Sequence, residues 1–200
     1  VDEKGNLLDG DKIIAALALD MKKKGDLDGG AAVVTVMLNL GLFRFCEEHG
    51  IIPVTTKVGD RYVLEEMLKN GYEIGGEQSG HIIFRNYATT GDGQLTALKL
   101  LTMCREKGCK LSNIGDMMES YPQVVINVKA ESEQKSRFAA NIALADSINQ
   151  MGESLGKNGR ILVRASGTEP LIRIMVEGRD FDQINQLAMS AAKLIRTAID

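Results

Sequence analysis

Up to about residue 110, short β-branched runs alternate with segments of helical period, and this alternation restricts the fold more than any other feature of the sequence. A strand buried on both faces reads as a continuous apolar run, whereas an amphipathic helix repeats its apolar positions every three to four residues. Ala31 to Met37 (AAVVTVM) is a run of the first kind, and Asn39 to His49 reads as a helix stopped by Gly50. IIPVTTK forms a second strand. Asp60 to Asn70 predicts a short helix ended by Gly71, followed by a strand at Tyr72 to Ile74, a glycine-rich loop and the alternating strand HIIFRNYA. Gly93 to Lys107 carries a long helix. Ahead of these, Val1 to Asp9 reads as a strand end and turn, and Asp9 or Asp11 can cap a helix bearing Ile13, Ile14, Leu17 and Ala18 that ends near Gly25.

Strands interleaved with helices predict an α/β domain, a βαβ layered unit with a mixed sheet. From Tyr121 the order changes to strand (YPQVVINVKA), helix (about Lys135 to Met151), two strands close together (GRILVRA, LIRIMVEG) and a last helix from Asp182. Adjacent strands joined by a short loop predict an antiparallel sheet with helices on one face, a smaller α+β domain. The boundary is expected near Ser120, giving domains over 11–120 and 121–200.

Composition narrows the function. The net charge is −3 with 24 basic and 27 acidic side chains, so no basic field exists to attract nucleic acid. No apolar run approaches the ~20 residues that span a bilayer, and no signal peptide is visible; neither nucleic acid nor membrane is an expected partner. Cys46, Cys104 and Cys109 are odd in number and lack CxxC spacing, which argues against a disulfide framework and for a reducing, cytoplasmic setting. With His49 and His81 as the only histidines, a zinc site has too few ligands. The chain opens at Val1 within a turn-like pattern and without an initiator Met, which reads as part of a longer protein.

Four loops carry polar chemistry. In Arg164-Ala165-Ser166-Gly167-Thr168-Glu169-Pro170, with Arg173 beyond, two guanidinium groups, two hydroxyls and backbone N–H groups can converge on an anion such as phosphate. The same residues also suit a tight hairpin in which Gly167 supplies an unusual backbone angle. Gly75-Gly76-Glu77-Gln78-Ser79-Gly80-His81 offers an acceptor, a hydroxyl and a titratable ring, the mixture that sugar hydroxyls require, although a plain flexible loop has this composition too. Lys57-Val58-Gly59-Asp60-Arg61 is a charged turn in which Asp60 caps a helix and Lys57 or Arg61 either faces a ligand or is simply solvated. Thr89-Thr90-Gly91-Asp92-Gly93 reads as a capping segment for the long helix, and Lys22 to Lys24 as a solvated face.

Taken together and in this order, KVGDR, GGEQSGH, TTGDG and RASGTEPLIR resemble the α-D-phosphohexomutase superfamily over essentially the whole chain. The resemblance implies that Arg164, Ser166, Gly167, Thr168 and Arg173 anchor the sugar's non-reacting phosphate. It places Glu77, Ser79, His81, Asp60 and Arg61 with the sugar, and Lys57, a basic residue near the reacting oxygen, as the catalytic residue of this chain. Asp60 stands where relatives acting on mannose or glucose phosphates often have His, which, with Gln78, favours the branch acting on glucosamine phosphates. The other two branches, and a non-catalytic sugar-phosphate-binding module, are the alternatives. Leu38 departs from the Ser of the similar TVMSNLG segment.

The implied activity is an intramolecular phosphotransfer, interconverting glucosamine 6-phosphate and glucosamine 1-phosphate through a phosphoserine and a 1,6-bisphosphate, a step toward amino-sugar nucleotides and cell-wall precursors. The superfamily's SHNP-like phosphoserine loop and DGDxDR-like Mg2+ loop are absent from this sequence. Residues 1–10 resemble the end of the metal-binding second domain, 11–120 the sugar-binding third and 121–200 the phosphate-binding fourth. The expectations are therefore a hexosamine phosphate substrate, Mg2+ ligands and N-terminal domains outside this chain, and no mutase activity from these residues alone. Oligomeric state is left open.

Overall fold

The computed structural model describes residues 1–199, which divide into one compact unit over Val1–Ser120 and a second from Tyr121. In the first unit the sheet order is β2 (Ile52–Thr56), β1 (Ala31–Thr35), β3 (Ile74–Gly76), β4 (Ile82–Phe84). The β1 pairings to β2 and β3 are parallel, and β3 to β4 is antiparallel, so the sheet is mixed. Alternation along β1 sends Ala32 and Val34 to one face and Val33 to the other. The first face packs with Ile14 and Leu17 of α1 (Gly10–Lys24), Leu42 and Phe45 of α2 (Leu40–His49), and Leu100 and Met103 of α4 (Gly93–Lys107). The second packs with Val63 and Met67 of α3 (Asp60–Asn70). Helices on both faces explain why β1 is buried throughout.

Several expectations are corrected here. Val1 to Asp9 contains no strand: the Asp2 carboxylate takes the Lys4 and Asn6 N–H groups and closes a turn. This segment packs with the first unit, where Glu3 accepts from the Ser112 N–H at 3.1 Å and Leu8 is buried. Asp9, rather than Asp11, caps α1, accepting from Lys12 N–H at 3.1 Å. The third strand starts at Ile74 because the Tyr72 N–H still bonds Met67 O, which keeps Tyr72 in the cap of α3. β4 stops at Phe84, where the Tyr87 and Ala88 N–H groups fold back onto the Phe84 carbonyl. The short α5 (Leu111–Gly115) was not expected. Lys22 and Lys24 are not simply solvated: Lys24 pairs with Asp20 and Glu106, and Lys22 donates to the His49 carbonyl. Leu38, where Ser was expected, lies in the apolar core.

The second unit has an antiparallel sheet of order β5 (Gln123–Lys129), β7 (Leu171–Gly178), β6 (Gly159–Ala165). One expected helix is two, α6 (Ser132–Ala140) and α7 (Ile142–Glu153), separated by Asn141, whose side chain caps α7 by accepting from Leu144 N–H at 3.0 Å. The last helix, α8 (Phe181–Ile199), begins one residue early, behind Asp180, which accepts from Gln183 N–H. Val128, Ile172, Ile174 and Val176 form the core with Leu144 and Ile148 of α7 and Ile184, Ala188 and Ile195 of α8. Residues alternating with these, Asn127, Arg173 and Arg164 among them, occupy the sheet's other face.

Candidate functional sites

Three of the four polar loops converge in the first unit. Glu77 Oε1 accepts from the Gly59 N–H at 3.0 Å, fastening the 75–81 loop to the 57–61 turn. His81 Nε2 lies 3.4 Å from Asp60 Oδ2 and also accepts from the Gly91 N–H at 3.1 Å. An acceptor nitrogen carries no proton, so in this arrangement the ring's N–H is at Nδ1 and the Asp60 contact is not a hydrogen bond. Gly91 lets the ring come close: a Cβ there would stand 2.6 Å from the His81 ring, which would have to shift.

The loop is fastened from behind as well. The Gly10 N–H donates to Gln78 O at 2.9 Å, and a Cβ on Gly10 would lie 2.1 Å from the Glu77 carbonyl oxygen, so the start of α1 can approach only as glycine. Gln78 Nε2 donates to Asp11 Oδ2 at 3.1 Å, and the same oxygen accepts from the Asn39 N–H at the start of α2. Asp11 is fully buried. The sequence reading weighed Asp11 only as a helix cap and passed over Gly10; the signal was a glycine at the first helical position beside a second Asp.

The remaining side chains face outward. Lys57 and Ser79 are exposed and make no side-chain bond among the described residues. Asp60 is the first residue of α3 and not its cap, a place taken by Gly59; its carboxylate accepts from the Arg61 N–H. Arg61 pairs with Glu65 one turn on, which holds its guanidinium charged. Asp92 caps α4 through Leu95 N–H at 2.9 Å, as the sequence indicated. Among the described residues no three His, Cys, Asp or Glu side chains gather as metal ligands, and all three cysteines are unpaired thiols, with burial pushing Cys46 up to about 11.

The fourth loop belongs to the second unit. It leaves β6 at Ala165 and enters β7 at Leu171, closed by the Ser166 N–H on Leu171 O at 2.9 Å and by the Glu169 N–H on Ser166 Oγ at 3.1 Å. Register sets Arg164, Arg173 and Asn127 in one row across the three strands. Arg173 is held on both sides, by Asn127 Oδ1 at 3.2 Å and by the Glu169 carboxylate at 3.0 Å. Arg164 is not: its Nε is buried and has no hydrogen-bond partner among the described residues. Gly167 does not adopt a left-handed conformation, so the turn reading of that residue fails, and a Cβ there would meet nothing within 4 Å. Thr168 is exposed with a free hydroxyl.

Residues 9–121 match the α/β/α domain III of the phosphoglucomutase/phosphomannomutase family and residues 125–194 match its C-terminal domain; the chain belongs to this family. Among curated relatives, a phosphoglucosamine mutase of a Thermoanaerobacter species is 51% identical over 200 residues, covering 100% of this chain and 45% of the relative. That of Clostridium acetobutylicum is 51% identical over 195 residues, covering 98% of this chain and 44% of the relative. The chain thus spans less than half the length of the relatives it matches. Aspergillus fumigatus N-acetylphosphoglucosamine mutase, in complex with GlcNAc-6P and magnesium, has the same fold, with a TM-score of 0.81 at 21% identity over 100% of this chain and 46% of that one.

Proposed function

We propose that this chain is the substrate-holding part of a phosphoglucosamine mutase, which converts glucosamine 6-phosphate to glucosamine 1-phosphate by reversible phosphoryl transfer. The observation that carries the phosphate role is Arg164. A buried guanidinium nitrogen without an acceptor is costly, and a phosphate oxygen in that row of the sheet would satisfy it. Ser166, Gly167, Thr168 and Arg173 complete the anchor: Gly167 leaves its surroundings open, Thr168 offers a hydroxyl, and Arg173 is held in place by Asn127 and Glu169. Domain III family membership supports giving the first unit the sugar. There Glu77, with one oxygen occupied by Gly59, offers the other to a hydroxyl; Ser79, His81, Asp60 and Arg61 border the same three loops, and Lys57 is the candidate proton carrier.

The domains follow the same reading: 11–120 binds the sugar, 121–200 anchors the phosphate, and 1–10 continues a metal-binding domain that precedes them. Mg2+ would neutralise charge on the transferring phosphoryl group, and its ligands, like the phosphoserine, belong to sequence outside this chain. What these residues supply is positioning, which in phosphoryl transfer accounts for much of the rate. The setting is cytoplasmic; among the described residues no helix is long and apolar enough to cross a membrane.

Calorimetry on the 200-residue chain tests this. Glucosamine 6-phosphate should bind, Arg164→Ala should weaken that binding by about 2 kcal/mol, and the chain alone should show no mutase turnover. Tighter binding of mannose 6-phosphate or glucose 6-phosphate would move the assignment to another branch of the family. Binding unaffected by Arg164→Ala would remove the phosphate anchor.

A further inference from the structure

The phosphate-binding reading of residues 164–173 leaves one cation beside that loop without a role. Lys135 sits in α6, four residues after Glu131, the residue that precedes the helix. A positive charge near a helix N-terminus is disfavoured by the macrodipole, so the helix itself does not explain it. Nor does an ion pair, since the neighbouring Glu133 is engaged by Arg137 at 2.7 Å. The Lys135 ammonium instead donates to two backbone carbonyls of the loop, Ser166 O at 2.8 Å and Glu169 O. These carbonyls bracket Gly167 and Thr168, the two residues of the loop with the least support from the rest of the chain.

We propose that Lys135 is a positioning residue for the phosphate anchor: by holding the Ser166 and Glu169 carbonyls it fixes the Gly167-Thr168 backbone for an incoming phosphate. In a trans peptide the N–H points opposite to the C=O. With the Ser166 carbonyl turned onto Lys135, the Gly167 N–H is directed away from the ammonium. The cation on the carbonyl side also polarises that peptide and makes its N–H a stronger donor. The loop is thereby ordered before the ligand arrives, which removes part of the ordering cost of binding. Lys135 acts through the loop and does not itself touch substrate.

The test titrates the isotope-labelled 200-residue chain with inorganic phosphate and with glucosamine 6-phosphate, comparing Lys135→Met, Lys135→Arg and Arg164→Ala, with thermal unfolding of each. Lys135→Met is expected to weaken both ligands about tenfold, the order of one charge-assisted bond. It should move the Gly167 amide resonance before any ligand is added and leave the unfolding midpoint near that of the unaltered chain. Lys135→Arg, which can still reach a carbonyl, should restore part of the affinity. Lys135→Met binding that equals the unaltered chain, while Arg164→Ala weakens it, overturns the role of Lys135 and leaves the phosphate anchor standing. Weakened binding that merely tracks lost stability, with no rescue by Arg, overturns it too. If the unaltered chain binds neither ligand, the anchor fails and this proposal falls with it.

Discussion

The loops of the first unit and the loop of the second are built in opposite ways. Around Glu77 and His81 the chain itself supplies donors to the acceptors: the Gly59 N–H fills one oxygen of Glu77, the Gly91 N–H fills Nε2 of His81, and Gln78 Nε2 donates to Asp11. Around Arg164 a donor is left over, buried and unanswered. Even its neighbour on the same strand differs, since Arg160 is paired with the fully buried Glu177 at 2.8 Å. The contrast teaches that the first unit holds a shape, kept by close backbone contact, whereas the second keeps a charged donor unanswered. Shape of that kind is lost through steric change and charge of that kind through deletion.

The largest effect that separates the two is expected from Gly10→Ala. Its Cβ would collide with the Glu77 carbonyl oxygen, and backbone has no cheap way to yield, so the first unit should lose about 3 kcal/mol in denaturant unfolding. Amide probes in the second unit should not follow. If Gly10→Ala is tolerated, the rigid-shape half of the contrast is wrong.

Next comes Arg164→Ala, expected to weaken phosphate binding by about 2 kcal/mol, as for a lost charge-assisted pair, with little loss of stability because no internal bond to Nε is broken. Calorimetry and thermal unfolding of the same variant check both halves. A large stability loss would mean that Arg164 is structural. Asn141→Ala, which touches neither loop, should cost about 1 kcal/mol in unfolding of the second unit and leave phosphate affinity unchanged; a change in affinity would tie the α6–α7 break to the anchor.

Smallest is a pH effect confined to the first unit. Burial pushes the Asp20 carboxyl upward, but bonds from Lys107 and Lys24 outweigh it and leave the carboxyl below its ordinary value of 3.8. A depressed acid contributes stability that is present above the unfolded value and is lost as pH falls through the folded one. The unaltered chain should therefore lose a small increment of stability below about pH 4 that Asp20→Asn does not show. Equal acid sensitivity of the two would place the effect elsewhere.

How much of this was readable in advance differs between the units for the same reason. Helices ended by Gly50, Gly71 and Gly108, and the buried run of β1, announce themselves through local sequence because their causes are local. The arginines and hydroxyls of the RASGTEP loop are equally visible in the sequence, where they suit either an anion or a plain hairpin. The site-building roles of Asp11 and Gly10 were missed because their partners, Gln78 and Glu77, are more than sixty residues away, and only packing makes the pair visible. Lys135 was hidden likewise: its acceptors are backbone carbonyls more than thirty residues on, which no residue type advertises. The division at Asn141 was missed because one apolar period runs on through a capping residue.

The most direct measurement is the Nε–H signal of Arg164 in the labelled chain as inorganic phosphate or glucosamine 6-phosphate is added. Its buried, partnerless nitrogen should acquire an acceptor, shifting the resonance and slowing its exchange in a saturable manner, in step with the Gly167 amide. An Arg164 signal that stays fixed while ligand saturates the chain elsewhere would contradict the account.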